Sequence, residues 1–361
     1  MTTRRRGVAP RPPAEPSPEV AALVENFLDT SGVGHDRDVV RGIVLATLEL
    51  IRGDASRLDL KLARAALGEM AEAFHMFAPY RDVRKVTLFG SARTEPSDRT
   101  YELARELAAR VAAAGWMVVT GAGPGIMAAG NEGAGPAMAI GVNIRLPGEA
   151  EPNQWIAENS KLVEMKYFFT RKLMLIKESS GFLVLPGGFG TLDECFELLT
   201  LLQTGKAEPA PIVLVDSPGE RYWYGWEDFV TSQVYGRGFA DPVEGSLYHI
   251  TDNPDAAVRE VLGFHRNYHS RRFVNDAMVI RLRYPPSDLE LASLSTTFAD
   301  ICSAKGIWRT GPLPVERSDN DHLDLARIAL QFNRVHHGRL RQLIDALNAL
   351  CPPGAATPSR T

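Results

Sequence analysis

A glycine-rich segment near the middle of the chain has the residue types of a phosphate-binding loop. Residues 186–194 read Pro-Gly-Gly-Phe-Gly-Thr-Leu-Asp-Glu and follow a short apolar run that is typical of a buried strand. Gly187, Gly188 and Gly190 let the backbone turn tightly and bring several N–H groups towards a ligand. Thr191 is predicted to cap the helix that follows, whose unpaired N–H groups and partial positive charge suit a phosphate. An ordinary strand–helix corner needs only one or two glycines, so the clustering favours an anion site.

Two acids follow this loop, and we predict that both lie in the first turn of the helix, where the dipole favours their ionised forms. They are Asp193 and Glu194, and complementing the dipole would account for Asp193 about equally well. A carboxylate beside a phosphate is unfavourable, so a compensating cation and a chemical role are expected. The candidate cation is Arg171, whose planar guanidinium suits phosphate or carboxylate. The adjacent Lys172 is more typical of a solvated helix face.

Two other glycine turns follow predicted strands of the same region. Residues 120–127 read Thr-Gly-Ala-Gly-Pro-Gly-Ile-Met and include Gly121 and Gly123, while Gly90 and Ser91 follow the first strand. The glycine spacing differs from the dinucleotide fingerprint, and no acid ends the next strand, so NAD is disfavoured and no cofactor is expected. Because ligands of open α/β sheets bind beyond the carboxyl ends of strands, the three loops together predict one nucleotide site.

Short apolar segments alternate with amphipathic segments from Lys85 onwards, which predicts an α/β fold: a Rossmann-like parallel sheet with helices on both faces. The predicted strands are 86–89, 117–120, 139–144, 182–185 and 212–215, and the predicted helices are 101–114, one starting near 125, 192–202 and 226–235.

The regions around this core differ from it in composition and periodicity. We predict a disordered tail over 1–18, a helical N-terminal extension over 19–80, the catalytic domain over 81–264, a C-terminal α+β extension over 265–351 and a disordered tail over 352–361. Within the C-terminal extension the expected elements are strands 277–282 and 307–308 and helices 289–304 and 323–350.

Composition excludes several classes of protein. The net charge of −4 argues against nucleic acid as a partner, and no apolar run is long enough to span a membrane. Three widely spaced cysteines suit reduced thiols, and the basic start lacks the apolar stretch of a secretory signal, so a cytoplasmic protein is expected. Cys195 is expected to be a packed residue, and the pair His265 and His269 a solvated basic surface; no metal site is expected.

With these features the chain resembles the Lonely Guy type cytokinin riboside 5′-monophosphate phosphoribohydrolases and the wider bacterial nucleotide 5′-monophosphate nucleosidases, in their long form. The resemblance covers about residues 85–264, and the family motif Pro-Gly-Gly-any-Gly-Thr-any-any-Glu is matched at every fixed position of 186–194. It implies a Rossmann-like homodimer or higher homo-oligomer. Its implied reaction is hydrolysis of the N-glycosidic bond of a purine-type nucleoside 5′-monophosphate, cytokinin nucleotides included, to free base and ribose 5-phosphate.

The resemblance also implies roles for particular residues. By matched position, Arg171 and Glu194 would be the catalytic pair and the glycine loop with Thr191 would bind phosphate, while Glu149 and Thr200 would be further substrate contacts. An ionised Glu194 would stabilise an oxocarbenium-like transition state and activate water, with Arg171 holding phosphate or ribose. Asp193 is a candidate partner for a ribose hydroxyl.

Two other functions deserve comparison. A non-catalytic nucleotide-binding or sensing protein of the same fold would use the same loop, but the presence of both Arg171 and Glu194 favours catalysis. Family members are often labelled lysine decarboxylases, which would need a lysine for a Schiff base, yet nothing around Lys172 or Lys177 indicates that chemistry.

The variant Glu194→Ala is expected to abolish base release while the fold survives, because it removes the carboxylate that acts on the sugar. Chromatography of nucleotide digests, with circular dichroism as the control for folding, measures both. Normal turnover by this variant would remove Glu194 from the mechanism.

Overall fold

The computed structural model describes residues 16–145 and 151–351. Contacts divide the chain into two units, Met1–Gly68 and Glu69–Thr361. The described part of the first unit contains α1 (Pro18–Thr30), α2 (Arg37–Arg52) and the start of α3 (Arg57–Phe77), which continues into the second unit. No helix in the two described ranges has the length and apolar composition needed to cross a bilayer.

The second unit is built on a seven-stranded parallel sheet, which confirms the predicted Rossmann-like fold. The strand order is β4-β3-β2-β1-β5-β6-β7. The strands are β1 (Lys85–Phe89), β2 (Met117–Thr120), β3 (Ala139–Ile144), β4 (Leu162–Met165), β5 (Gly181–Val184), β6 (Ile212–Val215) and β7 (Tyr248–Thr251). The sequence patterns did not reveal β4 and β7, because these edge strands are fully buried at only half of their positions and lack a continuous apolar run.

Helices cover both faces of this sheet. They are α4 (Arg99–Ala113), α5 (Ile126–Met138), α6 (Phe168–Lys177), α7 (Phe189–Gln203), α8 (Tyr222–Phe229) and α9 (Pro254–Gly263), with short 3₁₀ or π turns at Ala78–Tyr80, Val230–Tyr235 and Pro242–Leu247. One face packs against the end of α3 and against α6, α7 and α8. The other packs against α4, α5 and α9, so the inner strands β1, β2, β3, β5 and β6 are buried on both sides.

The C-terminal part adds a four-stranded antiparallel sheet with the order β10-β11-β9-β8. Its elements are β8 (Tyr268–Val274), β9 (Ala277–Leu282), α10 (Asp288–Thr297), β10 (Cys302–Thr310), α11 (Pro314–Ser318), β11 (Ala326–Phe332) and α12 (His337–Ala349), with a 3₁₀ turn at Ala299–Ile301. Apolar residues of α10 and α12 pack on this sheet and form its core.

Both predicted C-terminal helices are wrong in extent. The predicted helix 323–350 begins only at His337, and residues 326–332 form β11 instead. Ala, Leu, Gln and Arg favour helix locally, but β11 is paired on both sides, with β9 and β10, and these pairings override that preference. The Asn333 side chain accepts N–H bonds from Val335 and His336 and so forms the turn. Similarly, the predicted helix 289–304 ends at Thr297 because residues 302–310 join the sheet as β10.

A buried ion cluster lies beside this sheet. The Glu316 carboxylate is fully buried and accepts hydrogen bonds from Arg281 Nη2 at 2.7 Å and Arg327 Nε at 3.2 Å. Burial alone would raise the pKa of Glu316, but hydrogen bonds from the Leu313 N–H and from both arginines outweigh it and lower the pKa. The carboxylate is therefore the charge that the two buried cations share, and Arg281 has a second partner in Asp321, at 2.5 Å.

The variant Glu316→Ala should lower the free energy of unfolding by about 3–5 kcal/mol, because it leaves two buried guanidinium groups without their shared partner. Urea denaturation measures the loss. Glu102→Ala is the matched control: its carboxylate pairs with Arg105 at 2.6 Å but its side chain is 63% exposed. That control should cost less than about 1 kcal/mol. Equal losses in the two variants would contradict the assignment.

Candidate active site

The point where the strand order reverses lies between β1 and β5. After β1 the chain passes to α4 on one face, and after β5 it passes to α7 on the other, which leaves a crevice at the carboxyl ends of these two strands. The two loops meet there, since the Ser91 N–H donates to Pro186 O at 3.1 Å. The predicted loops after β1 and β5 are therefore neighbours in space.

The glycine turn after β2 joins the same edge. The Ile126 N–H donates to Ser91 O at 3.0 Å, so Ser91 holds both neighbouring loops by its backbone. Gly125, just before α5, has φ +66°, and an added Cβ would lie 2.3 Å from Ser91 O. At Gly90 an added Cβ would lie 2.6 Å from the Ile126 side chain. Close packing of the three loops therefore requires glycine at both positions.

The helix that opens at the phosphate loop starts earlier than predicted. Its first residue is Phe189 and its N-cap is Gly188, which offers no side-chain cap, so the prediction of Thr191 as N-cap is wrong. Thr191 is instead the third helical residue and is buried; an added Cβ on Gly187 would lie 2.2 Å from its Oγ1. The first N–H groups of α7 have no carbonyl behind them in the helix, and their partial positive charge faces the crevice.

The loop leaves room in front of these N–H groups. An added Cβ at Gly188 or Gly190 meets no atom within 4 Å, so the space beside both backbones is open. Gly187 is held from behind, because the Tyr222 hydroxyl donates to its carbonyl oxygen at 2.6 Å. The result is an anchored backbone with accessible N–H donors, which is an arrangement suited to an oxyanion.

Because α7 starts at Phe189, the two acids lie in its second turn, and the prediction that they lie in the first turn is wrong. They also face different surroundings. The Asp193 side chain is 62% exposed and pairs with Lys172 at 2.6 Å, whereas the Glu194 side chain is only 14% exposed. Burial raises the pKa of Glu194 to about 7, against the lowering effect of the positive charges of Arg171 and Lys172. The helix dipole therefore does not dominate the titration of Glu194.

The guanidinium of Arg171 is buried where β2, β3 and α7 come together. Its Nε donates to Val142 O at 2.9 Å and its Nη2 to Gly121 O at 3.3 Å. Its Nη1 lies 3.9 Å from Glu194 Oε1. The cation predicted from sequence to offset the carboxylate is thus beside it, fixed by backbone carbonyls of two strand ends.

Other predicted site residues have different positions. Lys172 bridges Asp193 and Glu197, at 2.6 Å and 2.8 Å, on the outer side of α7. Thr200 is exposed and donates to Phe196 O, roughly 16 Å along the helix from its start. The structure does not bring Thr200 to the crevice, and Glu149 lies outside the described residues.

Asn153 is a site residue that sequence reasoning missed. Its Nδ2 donates to Ala122 O and Gly123 O, both at 2.9 Å, and its backbone N–H donates to Ala122 O at 2.8 Å. These bonds hold the turn after β2, in which Ala122 has φ +60°. No motif marks Asn153, which lies 31 residues further along the chain than Ala122, so only the folded structure reveals the contact.

Two alternatives raised by the sequence have structural roles. Burial raises the pKa of Cys195 to about 12, which keeps the thiol protonated and packed in the core, as expected. The prediction that His265 lies on a solvated surface is wrong. The residue is buried, and its ring nitrogens lie 2.8 Å from Arg84 and 2.7 Å from Ser180 O. Within the described residues no group of three or more His, Cys, Asp or Glu side chains is arranged to hold a metal ion.

Comparison with known proteins gives a family match within the parallel-sheet region and a related protein. A family described as possible lysine decarboxylase matches residues 121–261. Over 166 residues the chain is 30% identical to the cytokinin riboside 5′-monophosphate phosphoribohydrolase of Mycobacterium tuberculosis, an alignment that covers 44% of this chain and 83% of that protein.

Solved structures with a similar arrangement include two proteins connected with the molybdenum cofactor. The molybdenum cofactor binding protein of Rippkaea orientalis is 18% identical, covers 49% of this chain and 94% of its own, and has a TM-score of 0.34. The molybdenum cofactor carrier protein of Chlamydomonas reinhardtii is 21% identical, covers 50% of this chain and 98% of its own, and also has a TM-score of 0.34.

The raised pKa of Glu194 predicts a pH-dependent stability. The folded protein holds this proton up to a pH of about 7, whereas the unfolded chain releases it near its ordinary pKa of 4.5. Ionisation therefore costs stability progressively between these two values, by on the order of 3 kcal/mol above pH 7. Glu194→Gln has no proton to release and should be more stable than the wild type at pH 8. Urea unfolding at pH 4, below both pKa values, where the wild-type carboxyl is mostly protonated in the folded and unfolded states, is the internal control. A difference that does not change with pH would contradict the prediction.

Substitution at Gly121 should displace Arg171. An added Cβ at Gly121 would lie 1.9 Å from Arg171 Nη2, whereas one at Gly123 would meet the flexible Met127 side chain, at 2.7 Å from Cε and 3.4 Å from Sδ, which can rotate away. Gly121→Ala should therefore lower the free energy of unfolding by about 1–3 kcal/mol. Gly123→Ala, the matched control, should cost clearly less in the same denaturation experiment. Equal effects would mean that Arg171 adapts freely.

Proposed function

Because the chain belongs to the Lonely Guy family of phosphoribohydrolases, we propose that it hydrolyses the N-glycosidic bond of a purine nucleoside 5′-monophosphate. The products would be the free base and ribose 5-phosphate. The observation that carries the proposal is the pairing of Arg171 Nη1 with Glu194 Oε1, at 3.9 Å, beside the open start of α7.

In this proposal the phosphate binds at the start of α7. The N–H groups around Gly188 and Gly190 supply hydrogen bonds and partial positive charge, and the open space at these two glycines leaves room for the phosphate oxygens. Gly187 and Thr191 pack behind the loop and define its shape. Gly90 and Ser91 lie at the neighbouring strand end, where the Ser91 N–H is bonded to Pro186 O, and they form the edge of the site.

The sugar would lie deeper in the crevice, near Glu194. Cleavage of the base–ribose bond builds positive charge on the sugar, which a buried carboxylate stabilises strongly because little water screens it. The same carboxylate would orient and deprotonate the attacking water. Since its pKa is about 7, the ionised form becomes dominant above neutral pH, so turnover should rise as the pH increases through this value.

Arg171 would bind the phosphate or a ribose hydroxyl from the other side. Its bonds to Val142 O and Gly121 O fix the guanidinium plane and leave it close to the carboxylate. Asp193, with its exposed side chain paired to Lys172, would reach a ribose hydroxyl only at the rim of the site. We therefore assign the chemical step to Arg171 and Glu194.

The pyridoxal phosphate chemistry of a lysine decarboxylase does not fit the lysines near this site. Burial lowers the pKa of Lys172, but hydrogen bonds to Asp193 and Glu197 outweigh it and raise the pKa, which keeps the amine protonated. A Schiff base forms from a neutral amine. Lys177 pairs with Glu178 at 2.6 Å instead of facing the crevice.

A homodimer is part of this proposal. The exposed side chains of α6 and α7 include Phe168, Phe169, Leu173 and Phe196, which are between 41% and 53% exposed. Large apolar side chains on adjacent helices of one unit are typical of a surface that a second subunit covers. In this proposal the only other partner is the substrate, a small nucleotide, and no nucleic acid is involved.

Incubation with a panel of nucleoside monophosphates, nucleosides and free bases, followed by chromatography, tests the proposal. We expect release of base from purine monophosphates and at least a 100-fold lower rate with the corresponding nucleosides, because the loop at the start of α7 would have no phosphate to hold. A thermal shift with AMP and no released adenine would instead support a binding or sensing protein of the same fold.

Gly190→Ala is the matched variant for the phosphate-binding step. Its added Cβ meets no protein atom within 4 Å, so the melting temperature should be unchanged. The same methyl group would occupy space beside the N–H donors, so binding of AMP should fall by tenfold or more. Unchanged binding would place the phosphate elsewhere.

A further inference from the structure

An asparagine in α5 is bonded to both of the residues that hold the glycine turn after β2. Asn131 is 1% exposed, and its Oδ1 accepts a hydrogen bond from Thr120 Oγ1 at 2.9 Å. The amide nitrogen of Asn153 lies 3.0 Å from the same oxygen. One buried side-chain oxygen therefore joins the end of β2, the helix α5 and the segment that contains Asn153.

The neighbours of Asn131 fix the orientation of its amide. Asn153 Nδ2 also lies 2.9 Å from both Ala122 O and Gly123 O, which identifies it as the nitrogen of that side chain. Rotating the Asn131 amide by half a turn would place two NH₂ groups face to face. The oxygen of Asn131 therefore faces Thr120 and Asn153.

These two partners of Asn131 hold a strained residue. Ala122 has φ +60°, a left-handed conformation that is unfavourable for alanine. Its N–H donates to Thr120 Oγ1 at 3.0 Å, and its carbonyl oxygen accepts from the Asn153 backbone N–H at 2.8 Å. Such a conformation persists only where the surroundings hold it, and here both polar groups of Ala122 are bonded to residues that Asn131 joins.

The conformation of this turn determines where Arg171 lies. Gly121 stands between Thr120 and Ala122, and its carbonyl oxygen accepts from Arg171 Nη2 at 3.3 Å. An added Cβ at Gly121 would lie 1.9 Å from the same nitrogen, so the turn and the guanidinium are in close contact. A shift of the turn would therefore displace the cation that lies 3.9 Å from Glu194.

Packing alone does not explain an asparagine at this position. Asn131 Nδ2 is buried and makes no hydrogen bond to any described residue. A buried donor without a partner is unfavourable, whereas an apolar side chain would bury no donor. The favourable contribution of this amide therefore comes from the two contacts of its oxygen.

We propose that Asn131 is a positioning residue for the proposed hydrolysis: its Oδ1 holds Thr120 and Asn153, so that the turn after β2 keeps the Arg171 guanidinium beside Glu194. Asn131 acts through the turn and does not touch the substrate. Its effect on turnover rests on the proposed function, whereas its effect on the position of Arg171 can be measured without turnover.

The titration of Glu194 reports where Arg171 lies. Burial raises the pKa of Glu194, and the positive charge of Arg171 is the largest opposing effect. The other charged groups that act on Glu194 are Lys172, Asp193 and Glu197, which are paired with one another. Displacement of Arg171 should therefore raise the pKa of Glu194 further.

Asn131→Ala is the test variant, and Asn348→Ala is the matched control. Asn348 is also a buried helical asparagine, and its Oδ1 accepts from the N–H groups of Asn267 and Tyr268, at 3.0 Å and 2.9 Å, in the C-terminal part. With AMP, Asn131→Ala should lower kcat by about 10- to 100-fold and raise the midpoint of the pH–rate profile by about half a pH unit or more. Asn348→Ala should keep the wild-type midpoint, because a smaller folded fraction lowers the rate without moving the titration.

NMR titration of the Glu194 carboxyl carbon, assigned by its loss in Glu194→Gln, measures the same shift without substrate. If the wild type hydrolyses no nucleotide, the proposed function fails, and this titration alone decides the role of Asn131. An unchanged or lowered midpoint in Asn131→Ala would overturn the proposal.

Thr120→Val is a second variant that removes the hydroxyl between Asn131 and Ala122. It should raise the midpoint in the same direction, and it decides the question if Asn131→Ala does not fold. Because both side chains act through one turn, the double variant should lose less kcat than the product of the two single losses. Fully multiplicative losses would mean that the two residues act independently, which contradicts the proposed network.

Discussion

The site depends on the buried guanidinium of Arg171. Arg171 lies under the crevice, held by carbonyl oxygens of Val142 and Gly121, and its Nη1 is 3.9 Å from the Glu194 carboxylate. A carboxylate as buried as Glu194 would be strongly destabilising without a nearby positive charge. The partial compensation leaves its pKa near 7, which allows the group to change protonation state at neutral pH.

The order of strands explains why this cation and the three glycine loops meet. Since β1 and β5 are adjacent and their chains leave on opposite faces, the loops that follow them open a crevice at one sheet edge. Ser91 bonds to both neighbouring loops through its backbone, and Gly125 lets that contact form by having no Cβ. Each glycine thus makes room for a different neighbouring group, although all of them contribute to one predicted binding surface.

The position at which α7 begins determines the surroundings of its two acidic residues. Because the helix begins at Phe189, Asp193 and Glu194 lie beyond the first turn, and burial controls Glu194 more than the helix dipole does. Asp193 is left at the rim with Lys172.

Much of the fold could be predicted from sequence, because it depends on local patterns. The continuous apolar runs of β2, β3 and β6 predict their bounds, and the glycine clusters predict loops at strand ends. The edge strands β4 and β7 could not be predicted, because a strand that pairs on one side only does not need a continuous apolar run. The residues of β11 favour helix locally, so the sequence predicts a helix there, and pairing with two neighbouring strands overrides that preference.

For the site, local residue patterns predict the motif over residues 186–194, and the family resemblance points to Arg171 as its cation. The folded structure was needed to show that Asn153 holds the turn after β2, that Lys172 faces carboxylates, and that Thr200 is distant from the crevice. The physical reason is the range of the interactions. Turn formation and helix starts depend on a few consecutive residues, whereas burial, pKa and ion pairing depend on groups brought together from distant parts of the chain.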